Sequence, residues 1–231
     1  MVKINLLGLG SAKMMTDHKT IYIDAFVEHE SVKPFQVGQA DLLLFTHDDH
    51  DHFCPKKTAQ AARETGAVVV GPPSIAYPLL VDEKLPPDQL QVFYPVHFKQ
   101  PIKQDVWGIS LKIYQTQHFF DWHPVHVSYL IEVDGKKLYH TGDSAMIDAE
   151  DQDLQRLDVL MYNLVKPEKD PAQVDVLEEA YNTFQPRHLI PTHLLGCDWT
   201  FSIPDLKKEV ERRGLDRVVI IEDEQQVLEI S

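Results

Sequence analysis

Leu42-Leu43-Leu44-Phe45-Thr46-His47-Asp48-Asp49-His50-Asp51-His52 is the stretch on which the reading of this chain turns. Its first part is a short apolar run, the pattern of a strand buried on both faces. Its second part puts three histidines and three aspartates into six residues. The donors therefore sit where a rigid strand hands the chain to a loop, a place that holds binding groups well. So dense a set of charges repels itself, and a divalent cation is the simplest compensation. The stretch predicts a metal-binding loop at the C-terminal end of a sheet strand.

Working outward, the arrangement recurs. Strand-like segments rich in Val, Ile, Leu and Tyr are predicted at 2–7, 20–24, 41–46, 67–70, 106–116, 126–133, 137–141, 159–164, 187–191, 217–221 and 226–230. His118 follows one of them. Asp143 follows another within Thr141-Gly142-Asp143-Ser144, and His193 a third within Pro191-Thr192-His193. Four strands that each end near a ligand-capable residue supply converging donors from separate segments, as a metal site requires. Asp134-Gly135 predicts a tight hairpin. Helices are predicted from Pro55 to Glu64 before Gly66, from Pro171 to Phe184 with Val174, Leu177, Ala180 and Tyr181 on one face, and from Pro204 to Arg213 before Gly214. Pro72-Pro73 and Pro86-Pro87 read as loops. With no repeat and no linker visible, the chain reads as one α/β domain over residues 1–231, built on two sheets.

Composition narrows the partners. At 43% hydrophobic and 25% charged, the 231 residues are of globular type. A net charge of −14, from 36 acidic against 22 basic residues, disfavours nucleic acid and anionic membrane and leaves a small-molecule substrate. The N-terminus lacks signal-peptide character, no apolar run approaches membrane-spanning length, and two cysteines exclude a disulfide scaffold. The expected setting is cytoplasmic, with homo-oligomerisation left open.

In their order, spacing and strand context, these elements resemble the metallo-β-lactamase-fold hydrolases, whose fingerprint is His-x-His-x-Asp-His, then a lone His, then Gly-Asp-Ser/Thr, then a late His. The resemblance covers nearly the whole chain, with Gly8–Gly10 and the 20–24 segment ending in Asp24 similar to the family's opening hairpin. It implies a four-layer αββα sandwich of two mixed sheets flanked by helices, and looks most like the small lactonase-type members. Carried over residue by residue, it gives one divalent cation to His47, Asp49 and His118 and a second to Asp51, His52 and His193, with Asp143 bridging. The sequence departs from the fingerprint at Asp49, where the family has a histidine; His50 in a shifted register is the alternative ligand. Zinc is expected ahead of manganese or iron, although a carboxylate at position 49 tilts the first site toward the harder ions.

The chemistry so implied is hydrolysis of an ester, lactone or phosphoester by a metal-bound hydroxide. Asp51 would bind metal and direct the water, Asp24 would orient a ligand from behind, and His126 or His123 would protonate the leaving group. The loop from Phe119 to Val125, with Trp122, would lie beside the substrate. Two other classes compete: an iron-dependent redox protein of the same fold, motivated by Asp49, and a metal-binding protein without catalysis. His18, His29, His97 and His188 read as surface or structural. His140 reads equally as a core or a supporting group, Trp107 and Trp199 as packing, Cys54 and Cys197 as inert thiols, and residues 148–153 as a solvated helix start. Gly8-Leu9-Gly10-Ser11 reads as a turn.

Overall fold

Leu42, Leu43 and Leu44 are all fully buried, yet they face two different cores. Leu42 and Leu44 join an apolar cluster that also contains Ile113, Tyr129 and Ile131, whereas Leu43 joins one with Ala59, Ala62 and Leu79. Alternation along a strand sends neighbours to opposite faces, so an unbroken apolar run marks a strand covered on both.

The computed structural model describes residues 1–26, 37–94, 100–119, 125–144, 151–164, 172–196 and 202–231. Its first sheet contains β1 (Val2–Gly8), β2 (Ser11–Met15), β3 (Thr20–Ile23), β4 (Leu42–Leu44), β5 (Val68–Gly71) and β6 (Leu90–Val92) as successive neighbours. The second contains β7 (Ile102–Val106), β8 (Ile109–Thr116), β9 (His126–Val133), β10 (Lys136–His140), β11 (Val159–Asn163) and β12 (His188–Thr192), and β13 (Leu228–Ile230) returns to pair with β1. Both sheets are mixed. β1 to β3 are antiparallel and β3 to β6 parallel, while β7 to β10 are antiparallel and β10 to β12 parallel. Helices α1 (Pro55–Thr65) and α2 (Pro73–Val81) cover the outer face of the first sheet, and α3 (Ala172–Phe184) and α4 (Ile203–Arg213) that of the second. The result is the expected four-layer αββα sandwich.

The predicted helices form within two residues of their expected ends. Gly66 and Gly214 close α1 and α4 in left-handed conformation, at φ 76° and 67°. Asp134 and Gly135, at φ 49° and 71°, make the predicted hairpin between β9 and β10. Other expectations need correction. Pro72-Pro73 is not a loop: it opens α2, because proline suits a first helical turn whose N–H groups have no partner. The single strand expected at 106–116 is a hairpin. It turns at Trp107 and Gly108, both at positive φ, with Asp105 Oδ1 accepting the Gly108 N–H at 2.9 Å. The 217–221 segment makes only one bridge, from Val218 to Leu189 of β12. His29, His97, Trp122, His123, residues 148–150, Cys197 and Trp199 lie outside the described residues. Among the described residues no helix is long and apolar enough to cross a membrane.

Candidate metal centre

The four strands singled out by sequence end at one pole of the sandwich. β8 and β10 are both antiparallel to β9, so they run the same way and deliver His118 and Asp143 to the same end. His193 follows β12, which is parallel to β11 and β10. His47 comes from the other sheet, beyond β4. Backbone hydrogen bonds join the sheets here: Val127 N–H donates to Thr46 O at 3.0 Å, and His193 N–H to Leu9 O at 2.9 Å. His193 and Asp24 both sit in the left-handed region, at φ 62° and 49°. Non-glycine residues persist there only where the surroundings enforce it, a habit of functional sites.

Among the described residues, four groups of donors have ligand atoms within 4.8 Å of one another. Asp24 groups with His47 and His52 behind the pole, and Asp49 with His50 and Asp51; the other two groups meet at the pole, His47, His118 and Asp143, and Asp51, His52 and His193. Asp143 faces both. Its Oδ1 lies 3.3 Å from His52 Nε2 and 3.2 Å from His193 Nε2, and its Oδ2 lies 3.8 Å from His118 Nε2. Oδ1 is buried and makes a hydrogen bond to neither imidazole. His193 Nε2 and His52 Nε2 face each other at 3.4 Å. A buried carboxylate oxygen amid converging imidazole nitrogens, without hydrogen-bonding geometry, is a donor set that fits a cation.

Behind the donors, Asp24 fixes two ring orientations. It is fully buried and receives Thr46 N–H at 2.8 Å on Oδ1, and the Thr46 hydroxyl at 2.7 Å and His52 Nδ1–H at 3.1 Å on Oδ2. Because the Thr46 hydroxyl donates to Asp24, its lone pairs accept from His47 Nδ1 at 2.8 Å. Both imidazoles therefore carry a proton on Nδ1 and turn Nε2 inward, the usual way a carboxylate prepares a ligating histidine. Gly10, which sequence offers only as a turn, is here a close approach: a Cβ would lie 2.5 Å from His52 Cε1 and 2.9 Å from His193 Cε1. Thr46 and Gly10 escaped the sequence reading because neither is a ligand type.

Two expected site residues sit elsewhere. Asp49 does not join His47 and His118. It groups with His50 and Asp51, and its Oδ1 lies 3.2 Å from His50 Nδ1 and accepts the His50 N–H at 3.1 Å. His50 does not join them either, and 77% of its side chain is exposed. His126 is not placed as an acid. It is fully buried, its Nε2 accepts the Asp143 N–H at 3.0 Å, and its Nδ1 meets Thr116 Oγ1 at 2.7 Å. Burial pushes its pKa down to about 3, so the ring is neutral and both nitrogens are engaged.

Electrostatics set the two groups apart. Burial, helped by neighbouring imidazoles, holds His47 well below its ordinary pKa. Burial acts the same way on His52, but Asp143 and Asp24 outweigh it and hold that ring well above. Burial would raise the Asp143 carboxyl, yet His193 and His52 hold it well below the usual carboxylate range. The pole thus stabilises positive charge between Asp143 and Asp24.

The sequence and the fold have counterparts among known proteins. A protein of Thermus thermophilus, UPF0173 metal-dependent hydrolase, is 32% identical over 152 residues, spanning 63% of each chain. The chain thus matches somewhat under two thirds of that relative's length. Igni18, a metallo hydrolase of Ignicoccus hospitalis, superposes with a TM-score of 0.75 at 20% identity over 100% of this chain and 99% of its own. An isothiocyanate hydrolase from Delia radicum gut bacteria superposes at 0.73 with 12% identity over 99% of both chains. The sequence profile of the Beta-lactamase superfamily domain matches residues 3–193, from the first strand to the last histidine of the centre. The chain belongs to the β-lactamase superfamily.

Proposed function

We propose that this chain is a metal-dependent hydrolase acting on a small-molecule ester, lactone or phosphoester. The observation that carries the reading is Asp143, a buried carboxylate with one oxygen toward His52 and His193 and the other toward His118. His47, His118 and Asp143 would hold one divalent cation, and Asp51, His52, His193 and Asp143 a second. Such a pair lowers the pKa of water toward neutrality and polarises a carbonyl or phosphoryl oxygen.

The chain's own residues supply position and direction. Asp24 and Thr46 hold the His47 and His52 rings. Asp51, with 14% of its side chain exposed, is at once a donor of the second group and open to solvent. It would accept a hydrogen bond from the attacking water and aim it. A redox role would need Asp49 as a ligand, and that carboxylate faces His50. Four imidazoles with Asp51 and Asp143 suit zinc or manganese. The −14 charge favours a small substrate over a nucleic acid.

Elemental analysis tests the reading, comparing the native protein with Asp143→Ala and His118→Ala, followed by a panel of esters, lactones and phosphodiesters. About two zinc or manganese ions per chain, reduced in both variants, together with turnover on the panel, is the expected result. Protein that binds no ion after resupply with zinc, manganese and iron would overturn it.

A further inference from the structure

The turn that carries Asp143 presents two consecutive backbone N–H groups, and each ends on a ring nitrogen of a buried histidine. Gly142 N–H donates to His140 Nδ1 at 3.0 Å, and Asp143 N–H to His126 Nε2 at 3.0 Å. An N–H can donate only to an unprotonated ring nitrogen, so each imidazole carries its proton on the other one. That other nitrogen has an acceptor in both cases. His140 Nε2–H donates to Gly10 O at 2.8 Å, and His126 Nδ1–H to Thr116 Oγ1 at 2.7 Å. From Thr116 the hydroxyl passes the polarity to Ser128 Oγ at 3.0 Å, and Ser128 donates to Thr141 O at 2.7 Å. The path closes on the turn where it began.

We propose that His126 and His140 are positioning residues that clamp the Gly142–Asp143 turn in opposite tautomers and so set the Asp143 carboxylate between the two donor groups. The clamp matters because one carboxylate serves both groups, so a small rotation of its backbone misplaces both oxygens together. Its remaining backbone group is tied as well: Asp143 O accepts Phe119 N–H at 3.1 Å, beside the bridge between Ser144 and His118. Gly142 is shaped to the clamp. It stands at φ 55°, and a Cβ there would lie 2.7 Å from His126 Nε2, so a side chain and the imidazole cannot both be accommodated. His140 also reaches the Gly10 turn that packs against His52 and His193, which links the clamp to the second donor group.

This inference rests on the reading that Asp143 binds metal, and the experiment separates the two. Long-range 15N–1H correlation spectra of the chelator-stripped protein read the tautomers directly. His126 is expected protonated on Nδ1 and His140 on Nε2; the reverse assignment, or a doubly protonated ring at neutral pH, overturns the clamp. Paired substitutions then test the acceptor positions. A glutamine oxygen stands near the place of Nε2 and an asparagine oxygen near that of Nδ1. His126→Gln and His140→Asn should keep zinc affinity within about threefold of native, while His126→Asn and His140→Gln lose about 10–100-fold. Equal loss from both amides at either position means mere packing and overturns the proposal. A variant that fails to fold leaves the tautomer measurement to decide. Asp143→Ala is the control for the underlying reading. Retention of both ions there overturns the metal assignment, while the tautomers of the stripped protein still decide whether the two histidines clamp the turn.

Discussion

Asp24 and Asp143 are both buried carboxylates at the same pole of the sandwich, and their surroundings could hardly differ more. Asp24 has its oxygens filled by Thr46 N–H, the Thr46 hydroxyl and His52 Nδ1–H. Asp143 keeps an oxygen without a hydrogen bond, amid imidazole nitrogens from two strand ends and the 47–52 loop. A carboxylate whose lone pairs are satisfied orients its neighbours, and one with an oxygen left open is suited to receive a cation. Local chemistry, not residue type or depth of burial, divides the two roles.

Substitutions can break or sharpen that contrast. Asp143→Ala should have the largest effect on metal, lowering about two ions per chain to one or fewer by elemental analysis. Stripped of metal, the same variant should lose less stability than Asp24→Ala, since Asp143 Oδ1 makes no hydrogen bond and His52 keeps Asp24 as its partner. Asp24→Ala should show the reverse balance. It leaves three buried donors without their acceptor, so chemical denaturation of the stripped protein should show a loss of about 3 kcal/mol or more. Its metal affinity should fall only about 10–100-fold. If both variants destabilise the stripped protein equally, the contrast fails.

Gly10→Ala comes next. Its Cβ would press on His52 and His193, costing about 1–3 kcal/mol and weakening the second donor group while sparing the first. Metal titration that reveals two classes of site checks the selectivity. The smallest effect belongs to Asp49→Ala, expected to leave zinc affinity within about threefold, because that carboxylate is turned to His50 rather than to His47 and His118. A large loss there would restore Asp49 as a ligand.

Much of the metal pole could be read from the sequence for a physical reason. Strands covered on both faces are apolar throughout, so Leu42–Leu44 and Val159–Asn163 stand out, and a polar donor just past such a run is conspicuous. What stayed hidden depends on partners distant in sequence. His126 looks like a general acid beside an aromatic loop, and only the folded chain brings the Asp143 N–H onto its Nε2. Asp49 holds a ligand position of the fingerprint by spacing, yet the folded loop groups it with His50 and Asp51. β2 is Ser-Ala-Lys-Met-Met, a sequence with little strand preference of its own, and it forms because β1 and β3 pair with it on either side. α2 hides behind Pro72-Pro73 and carries Pro78 within it, so proline masks a helix that burial of Ile75 and Leu79 sustains.

The bridging role proposed for Asp143 can be tested directly in an anomalous difference map from crystals of the zinc-loaded protein. The account predicts two peaks, one at about 2.0–2.2 Å from His47, His118 and Asp143 Oδ2, the other at similar distances from Asp51, His52, His193 and Asp143 Oδ1. A peak among Asp49, His50 and Asp51 with none at Asp143 would contradict it.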